Sequence, residues 1–257
     1  MMTVLLCLTA FFASLLTFFS GFGLGTILAP VMMFYFPVEV AIAMTGIVHF
    51  LNNIFKLVLT GHNANKDVVL RFGIPAVIAA FVGAYLLIKV ANFSPLISYT
   101  AFDHQFEIYP QKIIIAVFLI FFALVDIIPY FSTLQFSRNM LPIGGALSGF
   151  FGGLTGSQGA LRSAFLIKSG MTKDAFIGTT VIISTMVDFT RLSVYANGFL
   201  DQVNSSNLPI IIFATLSAFI GAFLGNKLLK KVTIQSLQRF VAGFLIVIAI
   251  FLGLGWI

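Results

Sequence analysis

Ser20-Gly21-Phe22-Gly23-Leu24-Gly25-Thr26-Ile27-Leu28-Ala29-Pro30 interrupts an otherwise apolar segment running from Met2 to Phe36. One helix of that length would reach roughly 52 Å, against roughly 30 Å of hydrocarbon in a bilayer, so the segment must break somewhere. The glycines are the place, because they supply little helix propensity and leave backbone open to close approach. A second stretch of the same kind follows in the other half of the chain: Gly152-Gly153-Leu154-Thr155-Gly156-Ser157-Gln158-Gly159-Ala160-Leu161-Arg162-Ser163-Ala164.

A bilayer is the right frame for that length problem. Charged residues make up 9% of the chain and apolar residues 60%, whereas a soluble domain carries about 25% charged residues. The apolar runs are long, carry most of the 31 Phe, and lack the period-2 alternation and aromatic girdles of outer-membrane strands. The chain is therefore predicted to be an all-α polytopic membrane protein. Its formal charge of +6 comes from Lys and Arg that sit beside apolar runs, where they orient a membrane protein, so no nucleic-acid partner is expected. Cys7 lies alone in an apolar helix, and no Cys or His spacing resembles a zinc or redox motif, so neither metal nor cofactor is expected. Residues 1–20 lack a basic leader and a small-residue cleavage site, and are read as the first structural segment.

The apolar segments are 2–36, 38–59, 68–90, 111–131, 140–169, 174–195, 208–229 and 236–257, with the stretch from Ala91 to Gln111 as a loop. Shifting the sequence by 135 places Gly21 on Gly156, Ala29 on Ala164, Glu39 on Asp174, Thr45 on Thr180, Asn53 on Asp188 and Lys56 on Arg191. Ala80-Phe81-Val82-Gly83-Ala84-Tyr85-Leu86 and Ala218-Phe219-Ile220-Gly221-Ala222-Phe223-Leu224 share five of seven residues, and Ala116 to Ala123 falls on Ala242 to Ala249. The reading is an internal duplication of about four segments per half, residues 1–131 and 132–257, forming one membrane domain. Secondary transporters often show such weak internal symmetry. In the second half, residues 141–151 and 160–169 are each too short to span, since a crossing helix needs about 20 residues. Paired half-helices would leave three net crossings per repeat and invert one half relative to the other. Loop cations hardly separate inverted from parallel repeats, and the shortness of the half-helices favours inversion.

Unwound backbone at membrane depth is tolerated only inside protein or along a watery cavity. A half-helix beginning at such a break aims its first amides and positive dipole end at the break, a ready site for an anion. Gly21, Gly23, Gly25 and Thr26, with Gly156, Ser157, Gln158, Arg162 and Ser163, are the candidate donors. Arg162 is the sharpest, because an intramembrane arginine faces either a partner or a cavity; it either satisfies carbonyls freed by the break or contacts an anion. The next helix of each half carries a matching polar stripe, Thr45, His49, Asn53 and Lys56 in one and Thr180, Ser184, Asp188 and Arg191 in the other, each spaced 4, 4 and 3. That spacing keeps four residues on one helical face, so the stripes read as a lined path or coupling route, with Asn52 beside Asn53. Asp188 and Arg191 can neutralise one another at i, i+3; Lys56 has no such neighbour. The alternative for Lys56 and Arg191 is snorkelling to the headgroups, and for His49 a hydrogen-bonded interior role rather than proton transfer. Glu39 and Asp174 suit first turns, after Pro37 and Thr172 as start signals. Asp126 is read as an interfacial carboxylate, with a proton relay as the other option.

No H-E-x-x-H, G-x-S-x-G, Walker A or pair of catalytic carboxylates occurs in the membrane segments, so the chain is not expected to be an enzyme. The run Gly21 to Pro30, then Pro37, Ala41 to Thr45 and Asn52-Asn53, with Gly152 to Gly156 and Gly178-Thr179-Thr180 in the second half, resembles the sulfite exporter TauE/SafE family of membrane permeases over nearly the whole chain. The resemblance implies secondary transport of a small anion, often sulfur-containing (sulfite, an organosulfonate or a sulfur-bearing carboxylate), across the bacterial inner (plasma) membrane. Phe165 departs from the pattern, standing where the repeat would place a proline matching Pro30, and Gln158 and Arg162 interrupt the glycine run. The partners implied are a small anionic substrate, the lipid bilayer and a coupling proton or cation; nothing in the pattern excludes an oligomer. A non-transporting membrane assembly factor and an anion channel are the alternatives.

Overall fold

The computed structural model describes residues 1–18, 24–101, 103–128, 136–166, 169–196, 198, 203, 207–228 and 234–257. Gly21 and Gly23 lie outside these residues, and the side chain of Asp126 outside the described side chains. Among the described residues the chain forms ten main helices: α1 (Met2–Thr17), α2 (Leu24–Met32), α3 (Val38–Thr60), α4 (Lys66–Ala91), α5 (Pro110–Ile127), α6 (Leu141–Thr155), α7 (Gly159–Leu166), α8 (Lys173–Tyr195), α9 (Leu208–Leu228) and α10 (Ile234–Gly253). Four of them are long and apolar enough to cross a membrane: Val38–Asn63, Lys66–Ala91, Lys173–Tyr195 and Leu208–Lys227.

Local chemistry sets the helix ends. Pro37 precedes α3 and Glu39 occupies its first turn, while Thr172 caps α8 by accepting from the Ala175 amide at 3.3 Å, with Asp174 in the first turn. Pro110 and Pro142 open α5 and α6, where a missing N–H costs nothing. Within α4, Val69–Gly73 widens into a π-helical turn just ahead of Pro75, whose ring would clash with the carbonyl four residues back in a regular helix.

Both breaks are shorter than the glycine-rich stretches. α2 already runs from Leu24, so Gly25 and Thr26 sit in its first turn, and the second break is confined to Gly156-Ser157-Gln158. α2 and α7, nine and eight residues long, cannot cross a bilayer. The stretch taken as a loop contains a hairpin, β1 (Ile97–Ala101) paired antiparallel with β2 (His104–Ile108), Ile97 opposite Ile108. Its tight turn uses Asp103 at φ 61°, a left-handed conformation Asp tolerates better than most residues. The hairpin docks on the end of α10: Tyr99 donates its hydroxyl to the Leu254 carbonyl at 2.7 Å, and Trp256 Nε1 donates to Tyr99 Oη at 3.0 Å.

Lipid removes the hydrophobic drive for helix pairing, so close backbone packing through small residues takes its place. Gly145, Gly149 and Gly153 form a ladder on α6, and a Cβ at each would lie 2.1, 2.0 and 2.1 Å from the carbonyl oxygens of Phe72, Ala76 and Ala80 on α4. From the other side, a Cβ at Gly83 of α4 would lie 2.0 Å from the Phe150 oxygen. α9 approaches α1 the same way, with Gly221 against the Phe11 oxygen (2.2 Å) and Gly225 against that of Leu15 (2.8 Å). The helices pair as α1 with α9 and α6 with α4, α2 with α10 and α7 with α5, α3 with α9 and α8 with α4, then α3 with α8 and α5 with α10. α3 and α8 run antiparallel: Gly46 faces Arg191 and Leu192, His49 and Asn53 face Asp188, and Thr60 faces Gly178.

Candidate functional site

The site forms where α3 and α8 cross and the two breaks meet above them. A Cβ at Gly25 would lie 3.2 Å from the Gly156 carbonyl oxygen, 3.6 Å from Thr45 Cγ2 and 3.9 Å from His49 Cδ2, so the start of α2 lies close against the second break and a side chain there would crowd it. Thr26 Oγ1 and Ser157 Oγ lie 3.2 Å apart across the junction. Gly156 adopts φ 75°, which favours glycine, and a Cβ there would lie 2.9 Å from Arg191 Nη1. The Ser157 amide donates to Thr155 Oγ1 at 3.2 Å and Ser148 Oγ to the Gln158 carbonyl at 3.2 Å, which pins the second break. Arg162 stands in the first turn of α7, buried, with Ser163 beside it.

Asp188 is the hub. Its Oδ2 lies 2.6 Å from His49 Nδ1 and accepts from Asn53 Nδ2 at 2.8 Å, while Oδ1 accepts from Arg191 Nε at 2.9 Å. Arg191 Nη2 lies 2.8 Å from the same Oδ1. A carboxylate only accepts, so His49 must carry its proton on Nδ1, and the Asn53 amide nitrogen, 3.1 Å from that nitrogen, donates to Asp188 rather than to the ring. Gly46 leaves room for the guanidinium, with its Cβ position 3.5 Å from Arg191 Cζ. Lys56 extends the stripe, its Nζ 5.4 Å from the centroid of the Phe18 ring, a cation–π distance.

Lys56 and Arg191 are 5% and 0% exposed, so neither snorkels. Among the described residues, the buried charged side chains are Lys56, Arg162, Arg191 and Asp188. Counting His49 as neutral and Lys56 as protonated, three cations face one carboxylate among the described residues; Lys56 and Arg162 repel each other, and Arg162 is drawn to Asp188.

Other predicted residues are placed differently. Asn52 turns to α1, its Nδ2 donating to Ser14 Oγ at 3.1 Å, because adjacent residues on a helix point about 100° apart. Thr45 Oγ1 contacts Met32 Sδ at 3.3 Å, and Thr180 bonds the Ile177 carbonyl of its own helix. Ser184 is buried on the α8 face between Thr180 and Asp188. Gln158 is 2% exposed, and neither its amide oxygen nor its nitrogen has a hydrogen-bond partner among the described residues. Phe165 packs on Gly144 and stacks on Phe136 with centroids 4.0 Å apart, a packing role for the position aligned with Pro30. Sequence reasoning missed Ser14, Gly46 and Tyr195, whose hydroxyl donates to the Gly153 carbonyl. All three act on residues far away in the chain, so local spacing holds no signal for them.

The profile of the sulfite exporter TauE/SafE family matches residues 6–252. The chain belongs to that family. Comparison with curated proteins and with solved structures finds no match. TauE/SafE proteins are membrane-integral permeases, and the family points to transport of sulfite and related sulfur anions. The matched region takes in both breaks and the Asp188 hub, so the buried charge cluster lies within the part of the chain that carries the family's features.

Proposed function

We propose that the chain is a secondary transporter that carries a small sulfur-containing anion, of the class of sulfite, organosulfonates and sulfur-bearing carboxylates, across the bacterial plasma membrane by alternating access. The observation that carries this reading is the charge count at the crossing of α3 and α8: Lys56, Arg162 and Arg191 are buried with Asp188, the one buried carboxylate among the described residues. Taking an ion out of water costs several kcal/mol even after relaxation, and an excess of buried cations is costly unless an anion joins them. A bound oxyanion offsets that charge. It would find donors in Arg162 and Arg191, in Thr26, Ser157 and Ser163, and in the Gln158 amide, whose buried unpaired atoms otherwise cost about 1–3 kcal/mol. The first turns of α2 and α7 add amides and positive dipole ends at the same junction. Gly21 and Gly23, outside the described residues, are further proposed backbone donors in this reading.

The mechanism rests on inverted repeats, α1–α5 and α6–α10. Several observations support them. α3 and α8 span residues 38–60 and 173–195, the same length at a shift of 135. Exchanging the halves turns the pairing of α1 with α9 into that of α6 with α4, and of α2 with α10 into α7 with α5. Equivalent helices α3 and α8 run antiparallel, as inversion requires. Asn53 and Asp188, equivalent at that shift, touch at 2.8 Å, as expected of equivalent residues beside a pseudo-twofold axis. Rocking one repeat against the other around a fixed midplane site would expose it alternately to each face, with a proton or cation moving through the Asp188, His49 and Asn53 network as the coupling route.

Ligand-dependent stability tests the anion reading. Purified protein screened against sulfite, sulfate, thiosulfate, sulfonates and carboxylates should be stabilised by a subset of oxyanions, by about 2.7 kcal/mol at 100 times Kd. Equal melting in all of them and in an anion-poor buffer would contradict it.

A further inference from the structure

The polar face shared by α3 and α8 does not end at the buried cations. One turn beyond Lys56, Thr60 donates its hydroxyl to the Lys56 carbonyl at 2.9 Å and lines a cavity of about 310 Å³. Asn63, Lys173, Asp174 and Asn226 also line it, with Phe18 and Ile177 as the buried apolar side chains of its lining. Phe18 therefore touches both this cavity and the ammonium of Lys56, which lies over its ring.

The same place in the other repeat is filled. At the 135-residue shift of α3 and α8, Thr60 corresponds to Tyr195, Asn63 to Gly198 and Lys173 to Val38; at the 138-residue shift that aligns Gly83 with Gly221, Asn226 corresponds to Ile88. Tyr195 is fully buried and bonded to the Gly153 carbonyl, Val38 is buried, and Ile88 lies against Gly198, where a Cβ would be 2.9 Å from Ile88 Cδ1. Thr60, Lys173 and Asn226 at one end are matched by Tyr195, Val38 and Ile88 at the other, while Gly198, opposite Asn63, is covered by Ile88. The open end carries exposed Lys66, Arg71, Lys173 and Lys227, the excess of cations expected on the cytoplasmic side. Arg71 is paired with Asp67 at 2.7 Å and Asp174 lines the cavity, so Lys66, Lys173 and Lys227 supply the remaining excess of positive charge that draws anions to the mouth.

We infer that this conformation opens to the cytoplasm through this cavity and that Phe18 is the gate between it and the buried cation cluster. The inference rests on the anion-transport reading of that cluster. Cytoplasmic anions gather at the mouth near Lys173, and displacement of the Phe18 ring uncovers Lys56; the Tyr195 end stays shut meanwhile.

Thiol accessibility tests this without any substrate. In full-length protein with Cys7→Ser, Asn63→Cys and Lys56→Cys are introduced singly and exposed to a membrane-impermeant maleimide in sulfite-free vesicles of each orientation. Asn63→Cys should label from the cytoplasmic face, and Lys56→Cys from the same face about tenfold more slowly, because access limits a buried thiol. Adding Phe18→Ala, or the milder Phe18→Leu, should raise the Lys56→Cys rate by about tenfold while leaving that of Asn63→Cys unchanged as a check on folding. Unchanged Lys56→Cys labelling in both Phe18 variants, or labelling from the opposite face, overturns the gate. Because no anion is present, this result is separate from the oxyanion screen: a correct labelling pattern with no oxyanion stabilisation would keep the gate and remove the substrate class.

Discussion

Replacing Asp188 with asparagine keeps the side-chain shape and removes the one carboxylate among the described buried charges. Three donors converge on it, His49 Nδ1, Asn53 Nδ2 and Arg191 Nε, at 2.6, 2.8 and 2.9 Å. An amide offers one acceptor oxygen in place of two and turns an N–H₂ toward a donor, so at least one contact becomes repulsive. With His49 neutral, the buried excess rises from two positive charges to three. Breaking a buried pair by deleting one partner costs about 3–5 kcal/mol, or roughly two to three and a half decades in the folding equilibrium. The assay is equilibrium denaturation in mixed micelles, read for Asp188→Asn, Arg191→Gln and the double variant. Deleting Arg191 along with Asp188 restores the original excess, so the double variant should be less destabilised than the sum of the singles by about 1–3 kcal/mol. Saturating oxyanion should also stabilise Asp188→Asn more than the parent. Wild-type stability for Asp188→Asn, or strict additivity in the double variant, would refute the hub.

Three further outcomes follow from the packing. Gly149→Val should destabilise by about 1–3 kcal/mol or more, since its Cβ would lie 2.0 Å from the Ala76 oxygen and α4 and α6 would have to separate; the same denaturation assay reads it. Gly243→Ala, inside α10 where a Cβ meets nothing within 4 Å, should be neutral to stabilising by up to about 1 kcal/mol. Trp256→Ala removes the donor to Tyr99 and should expose the 97–108 hairpin to limited proteolysis, while the melting of the helical core stays unchanged.

The length of residues 2–36 and the two glycine runs were enough to predict broken helices, because a bilayer limits helix length and glycine limits helix propensity. The extents of α3 and α8 were legible for the same reason, as Pro37, Glu39, Thr172 and Asp174 are local signals. His49 and Asn53 of one stripe meet Asp188 of the other, and the Asp188–Arg191 pair is an i, i+3 contact that sequence spacing contains. What sequence spacing lacks is the partner across the fold. Lys56 reads as a snorkelling residue until Phe18, 38 positions away, covers it, and Asn52 reads as a twin of Asn53 until Ser14 takes its amide. The 97–108 hairpin was hidden because its strands are only five residues long and its turn uses Asp103 rather than glycine. Helix α2 takes in Gly25 and α7 opens at Gly159 despite the poor helix propensity of glycine, so helix reaches further into both glycine runs than propensity alone suggests.

Counterflow distinguishes a carrier from a channel and from a protein that moves no anion. Proteoliposomes loaded with unlabelled sulfite and diluted into labelled sulfite should accumulate label transiently above equilibrium, which an alternating-access carrier does and a channel does not. Arg162→Gln, reconstituted to the same density, should lower the initial rate by about 30-fold or more, the loss expected from about 2 kcal/mol or more when one partner of a buried charge contact is truncated. Transient accumulation with that loss is the predicted result. No accumulation by the parent protein with any of the stabilising oxyanions, or an Arg162→Gln rate equal to that of the parent, would contradict the account.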